Sequence, residues 1–308
     1  MSNKSNNNGR AYEFAFLKEF IEEIENLISY EIVKNKSCFT NEKTYLQNEN
    51  KEIFSKSSKS IVKEIIKLEP ILSNAKEKFF IKFQDDSKGK IADVRDIVIN
   101  CNVINYEIGF SLKHNHEAVK HSRLSEKIDF AFEWYQGKCS KDYWDNVLPI
   151  FQFLRENKGE NWSFINDKIN MIYKPVLKAF KNEIIKINTK QVEQLCRYLI
   201  GLYDFYKIIS IDKEKCTYMQ TFNFDNNLGK NYFNKKSIIE IPLLKLPDKI
   251  LYCDIEGDNK LILCFNHGWQ FSFRIHNASS RIEPSLKFDI KLIGLPSGVL
   301  CFKCFWND

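Results

Sequence analysis

Two short apolar runs lie close together in the chain, Ile97-Val98-Ile99 and Ile108 through Leu112. Asp93-Val94-Arg95-Asp96 opens the first, and in the second Glu107, Gly109, Ser111 and Lys113 alternate with Ile108, Phe110 and Leu112. Strand side chains point to opposite faces in turn. The pattern therefore predicts two adjacent strands, over 96–104 and 106–113, with one face in the core and the other carrying acids and one lysine. Carboxylates bind a hard cation such as Mg²⁺ through oxygen. A lysine beside them can orient a water or help to deprotonate it, and together these are the parts of metal-assisted phosphodiester hydrolysis. The same pattern would also suit an ordinary hairpin with solvated charges.

The rest of the chain divides by texture. An Asn/Ser/Lys-rich tail over 1–9 reads as disordered, with Asn8 as the cap of a helix over 10–30 on which Phe14, Leu17, Ile21, Ile24 and Ile28 recur. A second helix is expected over 60–80, broken or kinked at Pro70, and a strand over 81–84. Helical spacing returns over 116–134, 141–156, 163–185 and 189–208, with Pro175 marking a bend. Beyond about 215, short strands replace helices: 238–243, 249–254, 260–266, 269–276 and 286–293. In the last two, Phe271, Phe273, Ile275, Leu286, Phe288, Ile290 and Leu292 take one face, and Arg274, His276, Lys287 and Asp289 the other. The expected organisation is a core with a helical extension over 10–212 and a β-rich region over 213–308, packed separately or as one unit.

Charge suggests the partner. Lys and Arg total 46 against 40 Asp and Glu, a net of +6, which is compatible with nucleic acid without demanding it. Read as a helix, the segment after Lys113 puts His116, Lys120, Arg123 and Lys127 on one face, placed to hold phosphates. Gln270, Arg274, His276, Asn277, Ser279 and Lys287 decorate the outward face and loop of the C-terminal hairpin, and such side chains can read base edges. The tripeptide His114-Asn115-His116 is not the HNH nuclease motif, whose residues are spaced across a ββα unit. The first ten residues lack the apolar segment of a secretory leader, and no apolar run approaches the ~18 residues that span a bilayer. Nine scattered cysteines read as reduced thiols, Cys301 and Cys304 included, so a cytoplasmic protein is expected.

The arrangement resembles the PD-(D/E)xK nuclease core, which uses an Asp at one strand start and an acid-x-Lys on the next strand. Asp96 would be the first, with Asp93 as rival, and Ser111-Leu112-Lys113 the second. Ser111 stands where that pattern has an acid, so the metal is one carboxylate short. The resemblance offers Glu13, from the first helix, with Glu107 as the fallback.

Longer strings resemble the HaeIII family of type II restriction endonucleases: Asn8-Gly9-Arg10-Ala11 with Glu13, Asp93 through Asp96, and Glu107-Ile108-Gly109 with Ser111. Lys113-His114-Asn115-His116 running on through Val119 to Ser125, with His121 inside it, and Gly268 through Ser280 with Glu283 to Asp289 complete the match. They keep the family's order across nearly the whole chain. The resemblance implies an α+β protein with a PD-(D/E)xK-like core: a small mixed sheet flanked by helices, with a β-rich C-terminal region. It implies Mg²⁺-dependent cleavage of double-stranded DNA at a short palindrome, GGCC, leaving 5′-phosphate and 3′-hydroxyl. A cognate cytosine methyltransferase and a homodimer on DNA are expected with it. On this reading Asp96 and Glu13 hold Mg²⁺ with the Leu112 carbonyl, and Lys113 positions water. His114, Asn115, His116, Lys120, His121 and Arg123 grip DNA with the hairpin residues. A non-catalytic DNA-binding protein and a repair-type nuclease are the alternatives.

Overall fold

Each of two sheets is covered on one face by helices from its own part of the chain. The computed structural model describes residues 2–85, 92–116 and 118–306. It is of mixed α+β class, with seven α-helices among those residues. Met1–Glu117, Gly201–Leu244 and Ser297–Asp308 form one compact unit, and Ala118–Ile200 with Lys245–Pro296 the other. The units thus interleave along the chain and do not divide near residue 212.

In the first unit, helix α1 (Ser2–Ile24) buries Ala11, Tyr12, Ala15, Phe16, Phe20 and Ile24, a stripe at helical spacing. The helix runs through the polar segment read as a tail. The Asn8 side chain does not end it, but accepts a hydrogen bond from Asn48 Nδ2 at 3.0 Å. Strand β1 (Ser29–Val33) and helices α2 (Lys36–Leu46) and α3 (Lys51–Leu68) follow. Helix α3 starts nine residues before the expected boundary at 60, because its buried stripe there contains Ser57 and Ser58, which hide the apolar period. Ser57 pays for its burial by bonding Tyr12 Oη at 3.1 Å and Thr217 Oγ1 at 2.8 Å. Pro70 opens a 3₁₀ turn just past the end of α3, as a residue without an N–H should.

Strand β4 (Tyr106–His114) forms where expected, β3 (Ile97–Cys101) stops short at a 3₁₀ turn over Asn102–Ile104, and β2 (Lys78–Phe83) begins three residues early, in the stretch expected to end the second helix. In the second unit come β5 (Lys120–Ser125), α4 (Phe130–Tyr135), α5 (Lys141–Glu156), α6 (Lys174–Ile184) and α7 (Thr189–Ile200). The first unit resumes with β6 (Phe205–Ile211) and β7 (Cys216–Phe222); β8 (Ile250–Glu256), β9 (Lys260–Phe265), β10 (Gln270–His276) and β11 (Ser285–Gly294) belong to the second, and β12 (Cys301–Phe305) to the first. The helix expected over 116–134 is instead β5, a turn and the short α4. The stretch 189–208 is likewise divided between α7 and β6, and 238–243 forms no strand. Pro175 sits in the first turn of α6, directly after a π turn over Ile169–Tyr173, so the expected irregularity falls at this junction.

The seven-stranded mixed sheet runs β1-β2-β3-β4-β6-β7-β12, with β1–β2 and β4–β6 parallel and the other pairs antiparallel. Phe110 is at the centre of its covered face, with ring centroids 4.9 Å from Phe16, 5.5 Å from Phe20 and 5.9 Å from Tyr206. The other sheet, β5-β11-β10-β9-β8, is antiparallel, and its inner face packs Phe273 and Phe288 on Phe180 of α6 and Trp134 of α4. The nine cysteines are free thiols, and no helix among the described residues is long and apolar enough to cross a membrane.

Phe110 is fully buried among aromatic rings. Phe110→Ala should therefore lower the unfolding free energy by about 3–5 kcal/mol. Urea titration followed by tryptophan fluorescence reads this directly; a loss under about 1 kcal/mol would place the core elsewhere.

Candidate active site and a basic sheet face

The antiparallel register of β3 on β4 fixes Asp96. Its N–H donates to the Phe110 carbonyl at 2.7 Å and its carbonyl accepts from Gln84 N at 2.9 Å, so the ladder extends one residue beyond β3. That holds the carboxylate against the next turn of β4. Oδ2 accepts from the Leu112 N–H at 2.6 Å and from Lys113 Nζ at 3.2 Å. Within a strand the N–H and C=O of one residue leave by the same edge, so the Leu112 carbonyl is directed toward the Asp96 edge as well.

Glu13 comes from α1. Burial pushes its carboxyl up to about 8, and the nearby Asp96 charge adds to this, while Lys113, a hydrogen bond from Asn41 and the Arg10 charge pull it down. The Asn41 bond is 2.7 Å from Nδ2 to Oε2, and Asn41 is itself buried on α2. Asp96, Lys113 and Glu13 are thus brought together. Among the described residues no three His, Cys, Asp or Glu side chains cluster as a metal site. Two carboxylates held this close would still suit Mg²⁺, which keeps several waters and completes its shell with substrate phosphate.

Asp93 and Glu107 are not part of this group. Both are held by Arg95, a residue that the sequence reading passed over. Its Nε and Nη2 donate to the two Asp93 oxygens at 2.8 and 2.9 Å, and Nη1 donates to Glu107 at 2.7 Å. The guanidinium lies 4.2 Å from the Tyr203 ring centre. Gly109 makes room for it, because a Cβ there would come within 2.0 Å of Arg95 Cδ. Ser111 is buried and pairs in register with Lys207 of β6, which is also buried. A lysine inside the apolar run Phe205–Ile209 was the available signal for that second cation.

His114 and Asn115 tie the end of β4 to the end of β6. His114 Nε2 and Asn115 Nδ2 each lie 2.8 Å from Asp212 Oδ2, and the His114 ring meets Phe54 edge-on at 4.9 Å. His114 is therefore packed into its unit and not offered to solvent, whereas His116 is exposed.

In the second unit, strand alternation rearranges the expected basic helix. His121 and Arg123 point outward from β5, while Lys120 shares the inner side with Ser122 and Leu124. Its Nζ donates to the Tyr198 carbonyl at 3.0 Å and sits 3.6 Å from that ring's centre, and burial lowers its pKa to about 7. The helical stripe of His116, Lys120, Arg123 and Lys127 therefore does not exist. Ser122, bonded to Tyr198 Oη at 3.2 Å, is the inward polar residue that masked the strand.

What forms instead is one continuous face. β5 pairs with β11 and β11 with β10, so His121, Asp289 and Arg274 make one cross-strand row, and Arg123, Lys287 and His276 the next. Arg123 donates to Glu283 at 2.8 Å. The two segments that the sequence reading kept apart are neighbours here. Asn277 is buried, with Nδ2 donating to the Ser279 and Arg281 carbonyls at 2.7 and 2.6 Å, so it builds the hairpin loop. The Ser279 hydroxyl is likewise turned into the loop, onto the Arg281 carbonyl at 2.9 Å. Gln270 is exposed and lies across Gly294.

Comparison with known proteins settles the relationship. The model of the HaeIII restriction endonuclease family matches residues 9–296. The chain belongs to that family. It is 46% identical over 318 residues to the type II restriction enzyme HaeIII of Haemophilus aegyptius, with the whole of each chain covered. No solved structure matches it. A restriction endonuclease, as the motifs implied, is what the chain is.

Glu13 gives a pH signature in the metal-free protein. An unfolded chain ionises this group near 4.5, whereas the folded chain keeps its proton up to about 8. Between those values the unfolded state binds fewer protons, so this group's contribution to stability falls as pH rises. In EDTA, Glu13→Gln should gain stability over the parent progressively from pH 5 to pH 8. Urea midpoints at the two ends test this, and a gap that stays constant would refute the assignment.

Proposed function

We propose that this endonuclease hydrolyses double-stranded DNA at a short palindrome, GGCC, through a Mg²⁺ site on Asp96 and Glu13. The observation that carries the reading is the contact of Lys113 Nζ and the Leu112 N–H with one oxygen of Asp96. It joins an acid at a strand start to a lysine on the next strand, the arrangement of a PD-(D/E)xK-like core. Ser111 leaves that core one acid short, and Glu13 of α1 makes up the number.

The chemistry follows from these positions. Lys113 holds a water in line with the scissile phosphorus and favours loss of its proton. Attack breaks the bond to the 3′ oxygen, leaving 5′-phosphate and 3′-hydroxyl. Asp96, fixed by two donors, orients Lys113. Mg²⁺, when bound, supplies Lewis-acid polarisation of the phosphate and charge stabilisation for the leaving oxygen. Asp96, Glu13 and the Leu112 carbonyl would hold it. Glu13 must give up its proton to do so, which links metal affinity to pH.

The exposed basic residues His121, Arg123, Arg274, His276 and Lys287 are the side of the second unit that we assign to DNA. Arg123 suits the backbone and Arg274 a guanine edge. Lys120 is withdrawn from the phosphate role. A palindromic target makes a homodimer the economical assembly. A cytosine methyltransferase would protect the host's own sites in a bacterial cytoplasm.

Digestion of a plasmid of known sequence with Mg²⁺, followed by end sequencing, tests the whole reading. Discrete fragments ending within GGCC are expected; binding without nicking, or end-resection, would overturn it. Lys113→Ala should lower the single-turnover rate by about 10²–10⁴ while leaving DNA affinity in Ca²⁺ near the parent value. Substantial cleavage by that folded variant would remove Lys113 from the chemistry. Arg123→Ala should weaken binding to every sequence and flatten the salt dependence by about one charge. Lys120→Ala should leave that slope unchanged.

A further inference from the structure

One acid stands inside the basic face of the five-stranded sheet. Asp289 of β11 has its side chain 15% exposed, with basic side chains from three adjacent strands around it. His121 Nδ1 lies 2.7 Å from Oδ1 and Lys287 Nζ 3.5 Å from the same oxygen. Arg274 Nη2 lies 2.6 Å from Oδ2 and His276 Nε2 3.0 Å from it. We propose that Asp289 is a specificity-determining residue: it holds Arg274, His121 and His276 in fixed orientations before DNA arrives, and its charge opposes capture of non-cognate phosphate. The proposal rests on the reading that this face meets DNA.

Three observations support it. First, a carboxylate offers about four lone-pair sites, and Arg274 and the His121 ring lie at hydrogen-bond distance from this one, with His276 and Lys287 close beside them. Accepting from a base would require a cation to be released, so Asp289 is better suited to holding its neighbours than to reading DNA itself. Second, burial tends to raise its pKa, but the Arg274 and His276 hydrogen bonds and the His276 and His121 charges outweigh this and hold it well below the usual carboxylate range. The negative charge is therefore permanent at working pH. Third, a guanidinium has five N–H donors in a rigid fork. Anchoring one end of it sets the direction of the rest, which lowers the ordering cost of a bidentate contact.

The charge and the anchoring act in opposite directions on the two kinds of DNA. Removing the charge frees cations for backbone phosphates, which every sequence supplies. It also leaves Arg274 without a fixed direction, which only the cognate site needs. A residue that merely supported the fold would weaken both kinds of binding together.

The test uses the full-length chain in Ca²⁺, with a GGCC duplex and a scrambled duplex, over about 50–200 mM salt. Asp289→Asn keeps the shape and removes the charge. Its affinity for the scrambled duplex should rise severalfold, with the log–log salt slope steeper by about one. Its cognate-to-scrambled ratio should fall about tenfold or more, the size of one base contact. Asp289→Glu keeps the charge and should bind the scrambled duplex as the parent does. Arg274→Ala should lose affinity for the cognate duplex alone. An unchanged ratio in Asp289→Asn, equal weakening of both duplexes, or a rise in scrambled binding shared by Asp289→Glu would overturn the proposal. If Arg274→Ala loses cognate affinity while Asp289→Asn keeps the ratio, only the role of Asp289 falls. If no variant changes either affinity, the assignment of this face to DNA falls with it.

Discussion

The register of β3 on β4 governs the candidate active site of this molecule. Ile97 opposite Phe110 and Val98 opposite Gly109 leave Asp96 at the ladder's end, where its carboxylate meets the Leu112 N–H and Lys113. A slip of one residue would turn every side chain to the other face. Phe110 would leave the aromatic core and Arg95 would lose the gap at Gly109. The packing of Phe110 against Phe16 and Phe20 and the clamp of Arg95 on Asp93 and Glu107 thus resist the same error from opposite faces of the strand. Helix α1 completes the arrangement, because the stripe that buries Phe16 and Phe20 also brings Glu13 to Asp96 and Lys113.

Charge is managed differently in the two units. In the first, Asp93 and Glu107 are paired with Arg95, Asp212 lies against His114 and Asn115, and Glu13 is left in surroundings that disfavour its ionised form. In the second, basic side chains crowd one carboxylate on a solvent-facing sheet, which is the face proposed above to meet DNA.

The sequence showed the α+β class, the strands of the catalytic pair and the inward set Phe271, Phe273, Ile275, Leu286, Phe288 and Ile290, because clean alternation of two residue types is a strong signal. It failed where small polar residues face inward. Ser57 and Ser58 hid the first turns of α3, and Ser122 hid β5, turning a strand into an apparent basic helix. Lys120 was misplaced for the same reason, since its position relative to Arg123 differs between a period of 3.6 and a period of 2. In the candidate site, Asp96, Lys113 and Glu13 were legible as residue types at strand and helix positions. Arg95 was not, although it separates Asp93 and Glu107 from them, because its partners are distant or lie on its own strand edge. The pairing of β5 with β11 joins residues 160 positions apart, as between Ser125 and Ser285, and nothing local encodes it.

That long pairing also sets an order of assembly during synthesis. β5 emerges from the ribosome early and must wait for β11, and β4 must wait for β6, before either sheet has its neighbours. At about 5–20 residues per second, a nascent chain carries Asp96, Lys113 and Glu13 for several seconds without the strand that braces β4. The basic face is absent for longer still. The acids and the lysine are thus made early, the strand that braces them follows, and the strand that carries Asp289 comes near the end of synthesis.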